Sequence, residues 1–176
     1  MEPLEKLRSV AQDPIGYART RQSAIKKPIL GYFCSYTPEE ILTAASAVPF
    51  RIFGTRGDIS LADAHLQSYC CSLVRGGLED ALKGNLSFLK GAVFPHTCDS
   101  IQRLSDIWRL NAGMDTHFDV VLPVKLTSQS ARTYMIAVLN NFRTELEQGL
   151  NVSISDADLH QAIHTHNRIR DRLERI

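Results

Sequence analysis

The pattern of apolar and polar positions divides the chain into three stretches. Residues 3–26 are mostly polar and read as one or two helical pieces. They are interrupted at residues 13–16, where Pro14 breaks or restarts a helix. From residue 28 onward, short apolar runs alternate with helical stretches. The runs at 28–34, 49–54, 91–97 and 118–125 do not alternate in polarity, which predicts strands buried on both faces. The stretch 37–47 predicts a helix with Thr37 as N-cap, Pro38 at its first position, and Glu39 and Glu40 in its first turn. A loop is expected at 55–60. Residues 61–84 predict helix in two parts, with Gly84 just past the end. Gly76 and Gly77 weaken the second part unless something packs close to them. Residues 98–113 place Ile101, Leu104, Ile107 and Trp108 on one helix face, with Asp99 or Ser100 as cap and Gly113 beyond the end.

The order βαβαβαβ predicts an α/β fold: a parallel sheet of about four strands flanked by helices, Rossmann-like or flavodoxin-like. Two longer helices follow as a C-terminal extension. One spans 129–148, with Tyr134, Met135, Val138, Leu139, Phe142 and Leu146 at helical spacing. The other spans 155–176, with Ser155 as N-cap and Asp156 and Asp158 in the first turn. The expected organisation is a helical segment over 1–27, an α/β domain over 28–126 and C-terminal helices over 127–176.

Composition narrows the function classes. Hydrophobic residues make up 44% and charged residues 22% of 176 positions, ordinary values for a protein with a packed core. A net charge of +1 and the lack of a basic cluster with interleaved aromatics argue against nucleic acid as partner. No run approaches the roughly 18 apolar residues of a membrane span, and the charged N-terminus has no signal core, so a soluble, cytoplasmic protein is expected. Four cysteines do not form a secreted disulfide framework; reduced thiols, metal ligation or packing remain.

The cysteines sit beside the ends of predicted elements. Cys34 ends the first strand, Cys98 follows the third where a helix starts, and Cys70 and Cys71 lie near the start of the helix leading back to the third. Open parallel sheets bind ligands outside the carboxyl ends of their strands. A helix N-terminus favours the thiolate, the metal-ligating form, and soft sulfur selects zinc, copper(I) or iron–sulfur clusters. Packing is the competing account, above all for Cys34, and Cys71-x26-Cys98 matches no short ligand motif.

Other residues carry two readings each. Glu39 and Glu40 offer an acid or base near Cys34, or complement a helix dipole. Ser35 offers a hydrogen bond to a substrate carbonyl, or a turn contact. His96 offers a proton beside Cys98, or closes a strand end. Arg75 offers a partner for a thiolate or a phosphate, or a surface cation. Asp156, His160 and His164, at i, i+4 and i+8 with His166 nearby, suggest zinc or a solvated face. Gly54 and Gly57 lack the GxGxxG and GxxxxGK[ST] frameworks of nucleotide loops.

Three pieces carry a family resemblance: "GYFCSYTPEEILTAASAVPFRIFG", "ADAHLQSYCCSLVRGGLEDALKG" and "GAVFPHTCDSIQRLSDIW". In order and spacing they resemble the N-terminal domain of 2-hydroxyacyl-CoA dehydratase subunits, the 2-hydroxyglutaryl-CoA dehydratase D-component family, to which benzoyl-CoA reductase subunits and double-cubane-cluster reductases also belong. The closing "SISDADLHQAIHTHNRIRDRLERI" resembles a helix that follows this domain, so the resemblance covers roughly residues 28–176. It implies a [4Fe-4S] cluster, a CoA-thioester substrate, a second dehydratase or reductase subunit, and an ATP-dependent activator protein that delivers single electrons. In the dehydratases one electron makes a ketyl radical, the hydroxyl leaves, and the electron is recycled; in the reductases the electrons stay in the product. The family's ligand positions match Cys71, which opens "CSLVR", and Cys98, which precedes "DS". Cys70 is then a neighbour, and Cys34 a position near the site. A third cysteine belongs to a second α/β domain that these residues do not include, so the isolated chain is expected to be cluster-free and inactive. The rival expectation is a non-catalytic flavodoxin-like assembly or binding domain.

Overall fold

The computed structural model describes residues 3–55 and 57–175. Met1 and Glu2 of the expected first segment, Arg56 of the expected loop and Ile176 of the expected last helix lie outside them. Two helices open the chain, α1 (Pro3–Gln12) and α2 (Pro14–Ile25), divided at Asp13, whose carboxylate accepts from the Gly16 amide. Then come β1 (Ile29–Tyr32), α3 (Glu39–Ala44), β2 (Val48–Arg51), a short 3₁₀ turn at Ala62–Ala64, α4 (Ser72–Leu82), β3 (Gly91–Pro95), α5 (Asp99–Asn111) and β4 (Thr116–Val120). The long helices α6 (Gln129–Leu150) and α7 (Asp156–Leu173) close the chain.

All strands are parallel, in the order β2-β1-β3-β4. Alternate side chains feed two cores. Ile29 and Phe33 around β1, and Ala92 and Phe94 on β3, join Val74 and Leu78 of α4 and Leu104 and Trp108 of α5 on one face. Leu30, Tyr32 and Val93 join Leu42 of α3, Phe142 and Leu146 of α6 and Ala162 of α7 on the other. Phe33 lies between Phe94, at 5.2 Å between ring centroids, and Trp108, at 5.4 Å. Burial on both faces holds for the central strands β1 and β3, whose apolar runs have no solvent face, whereas the edge strands β2 and β4 are only partly buried and Arg51, Phe53 and Val124 of their runs are exposed.

Several boundaries differ from expectation. Helix α3 starts at Glu39 with Pro38 as N-cap, not Thr37, because the Thr37 hydroxyl donates back to the Phe33 carbonyl at 3.2 Å. It ends at Ala44, and Ser46 turns the chain with φ 59°. The first part of the expected two-part helix is only the 3₁₀ turn, and Cys71, in extended conformation, starts α4. Cys98 itself is the N-cap of α5, rather than Asp99 or Ser100. The fourth strand lies at 116–120 instead of 118–125, because its only neighbour, β3, ends at Pro95, opposite Val120. The capping box of Ser155 and Asp158 forms as the pattern suggests. Gly76 and Gly77 do receive close neighbours: a Cβ on Gly76 would lie 2.8 Å from the Thr55 amide nitrogen, and one on Gly77 would lie 2.7 Å from the Phe33 ring.

Candidate functional site

In the order β2-β1-β3-β4 the chain leaves β1 in one direction and β3 in the other. The helix after β1 covers one face and the helix after β3 the opposite face. A crevice therefore opens outside the carboxyl ends of β1 and β3, where α/β sheets bind ligands. The residues delivered there are Cys34, Ser35 and Tyr36 after β1, and His96, Thr97 and Cys98 after β3. Helix α4 runs back toward the start of β3, so its N-cap, Cys71, stands at the same rim.

Cys71 and Cys98 are both exposed N-caps, and neither helix has a side-chain cap bond. Helices α4 and α5 pack against each other, and a polar cavity of about 290 Å³ is lined by Cys70 on one side and Asp99, Ser100 and Arg103 on the other. The segment before Cys71 thus faces the turn after Cys98. Cys70 is buried in the core, and Cys34 is half-buried against the same core with φ 57°. Among the described residues no three His, Cys, Asp or Glu side chains form a group able to hold a metal ion. Two thiols at helix starts suit thiolate ligation, but a four-ligand cluster needs donors beyond them.

A second cavity, of about 670 Å³, adjoins this rim. Its walls include Tyr36, His96, Leu122, Val124, Arg132 and Met135. Tyr36, Val124 and Leu126 beside it are well exposed. An apolar cavity with a few polar groups is the usual form of a small-molecule site.

His96 is not isolated. Its Nε2 lies 2.8 Å from Asp119 Oδ1, which also accepts from Ser105 Oγ at 2.5 Å. Burial disfavours the Asp119 carboxylate, but bonds from His117, Ser105 and His96 outweigh it and hold the group well below the usual carboxylate range. Sequence reasoning missed this cluster. Its trace is His117 and Asp119, two polar residues two apart on one side of a strand, in register beside β3.

The other candidates lie as follows. Ser35 is exposed and makes no side-chain hydrogen bond among the described residues. Glu40 pairs with Arg170 of α7; burial opposes ionisation, but the arginine holds the carboxyl below its ordinary value. Arg75 is engaged by Asp63 through Nε at 2.9 Å and Nη2 at 2.6 Å. His160 and His164 are exposed, Asp156 pairs with Arg143, and His166 contacts the Thr43 hydroxyl.

A parallel α/β domain with cysteine-capped helices at the carboxyl edge of its sheet is the class that the fold defines. A family model described as 2-hydroxyglutaryl-CoA dehydratase, D-component, matches residues 34–176. A benzoyl-CoA reductase subunit of Thauera aromatica is 32% identical over 148 residues, 82% of this chain and 38% of that protein. Lactoyl-CoA dehydratase subunit beta of Anaerotignum propionicum is 27% identical over 168 residues, 95% of this chain and 44% of that protein. The (R)-phenyllactyl-CoA dehydratase beta subunit of Clostridium sporogenes is 23% identical over 163 residues, 93% of this chain and 44% of that protein. The chain belongs to the 2-hydroxyglutaryl-CoA dehydratase D-component family. It spans about two fifths of the length of the curated relatives it matches. Among the described residues no helix is long and apolar enough to cross a membrane.

Proposed function

We propose that this chain is the N-terminal domain of an iron–sulfur (R)-2-hydroxyacyl-CoA dehydratase-like subunit. The reaction would remove water from a CoA thioester by way of a substrate ketyl radical. Cys71 and Cys98 would hold part of a [4Fe-4S] cluster, with further ligands from outside these residues. The cluster, when bound, supplies single electrons, delivered by an ATP-dependent activator protein. The observation that carries this reading is the pair of exposed cysteine N-caps facing one rim. The chain's own residues would bind and orient the acyl group: the wall of Leu122, Val124 and Met135 offers apolar contact, His96 offers a polar contact within it, and Ser35 precedes Tyr36 of the same wall. Glu40, spent on Arg170, would act on α3 and α7 rather than on substrate. The relatives named as subunits support a second subunit as partner.

Resemblance to the Thauera aromatica benzoyl-CoA reductase protein supports a second reading, an aryl-CoA reductase-like subunit in which the electrons stay in the product. The test is anaerobic reconstitution with iron and sulfide, alone and with the complementary subunit. The expected result is no band from the chain alone and, with the complementary subunit, a near-visible absorbance band that Cys71→Ala and Cys98→Ala each abolish. No iron uptake even with the second subunit would overturn the reading and favour a non-catalytic assembly domain.

A further inference from the structure

At the β3–β4 end of the rim one carboxylate gathers three side chains. Asp119 Oδ1 contacts His96 Nε2 at 2.8 Å and Ser105 Oγ at 2.5 Å, and Oδ2 lies 3.4 Å from His117 Nε2. His117 Nε2 is also 2.8 Å from Ser105 Oγ. An ionised carboxylate only accepts hydrogen bonds. The nitrogen of His96 facing it must therefore carry a hydrogen. Ser105 has one hydroxyl hydrogen, given to Asp119, so its oxygen accepts from His117 Nε2–H. Both imidazoles are fixed in the same tautomer by the same carboxylate. The arrangement is held from behind: Ser105 is buried, and the Phe94 ring stacks on His117 at 4.7 Å.

In the neutral ring with hydrogen on Nε2, His96 Nδ1 carries the lone pair, and that atom has no hydrogen-bond partner among the described residues. His96 also lines the cavity of about 670 Å³, whose other walls are largely apolar. We propose that Asp119 is the positioning residue of His96, locking the ring with hydrogen on Nε2 so that Nδ1 accepts a hydrogen bond from a hydroxyl on an otherwise apolar ligand in that cavity. Ser105 and His117 hold Asp119 in place. The ligand half rests on the reading of the rim as a substrate site; the tautomer half does not, and neither depends on iron.

Long-range proton–nitrogen NMR of the full chain, at alkaline pH where imidazoles are neutral, tests both halves. His96 is assigned by the signal lost in His96→Gln. The expected spectrum has a protonated Nε2 and an unprotonated Nδ1, and Asp119→Leu is expected to mix the tautomers. Hydrogen on Nδ1 of His96 in the native chain overturns the proposal, and that measurement stands even if Asp119→Leu does not fold. Unchanged His96 signals in a folded Asp119→Leu variant overturn it as well. Titration with benzyl alcohol is expected to shift His96 Nδ1, whereas toluene, which lacks the hydroxyl, leaves it in place. Equal shifts with both probes, or none with the alcohol, overturn the ligand half.

Discussion

Glu79 has no exposed side-chain surface, yet it is ionised. Burial alone would raise its pKa. Lys83 Nζ at 2.8 Å, the Ala62 amide at 2.8 Å and the Ser60 amide at 3.1 Å outweigh that and lower it from 4.5 to about 2. Because the folded value lies below the unfolded one, this group's stabilisation is complete above pH 4.5 and is lost as pH falls toward 2. Glu79→Gln is expected to flatten the fall in stability across that window, read by urea denaturation at stepped pH. In the sequence Glu79 is an ordinary helix glutamate. Only the return of the chain at Ser60–Ala62 reveals it as the tie that fixes the segment leading to Cys71. The cysteines were legible because soft donors are scarce and sat at element ends; Asp119 was not, because its partners come from α5 and from the residue after β3.

At the scale of elements, the glycine pair in α4 shows how one pattern supports opposite conclusions. Read locally, Gly76 weakens the helix, and replacing it by alanine should gain about 1 kcal/mol. In the fold, Gly54, at φ 82°, and Thr55 press their backbone against Gly76, and a Cβ there would lie 2.8 Å from the Thr55 nitrogen. Backbone cannot move aside as a flexible side chain can. Gly76→Ala is therefore expected to destabilise by about 1–3 kcal/mol, and Gly77→Ala, which meets the buried Phe33 ring, by a similar amount. Denaturant midpoints check both; an unchanged or raised midpoint for Gly76→Ala would show that the contact yields. Strand identity was legible from unbroken apolar runs. Strand ends were not, because a strand lasts only as long as its neighbour, and β4 stops where Pro95 ends β3.

Across the whole molecule, α6 and α7 cover the second face of the sheet. Phe142 of α6 meets Phe118 of β4 edge-on at 5.9 Å, and α7 packs on α3. Arg170 pairs with Glu40, and His166 contacts the Thr43 hydroxyl across the same interface. The arginine side chain is 55% exposed, so a double-mutant cycle of Glu40→Gln and Arg170→Gln should give a coupling of only about 0.5–1 kcal/mol, shrinking with added salt. A coupling several times larger would mean that the pair is better shielded than its exposure implies. By itself the sequence determined the α/β class, the identity and chain order of the strands, and the placing of cysteines beside helix starts, because apolar runs and helix starts leave local marks in residue type. Tertiary structure alone decided the sheet order, the crevice between the carboxyl ends of β1 and β3, and the Asp119 cluster. Each of these depends on segments far apart in the chain being brought side by side, and no local pattern records which segment will lie next to which.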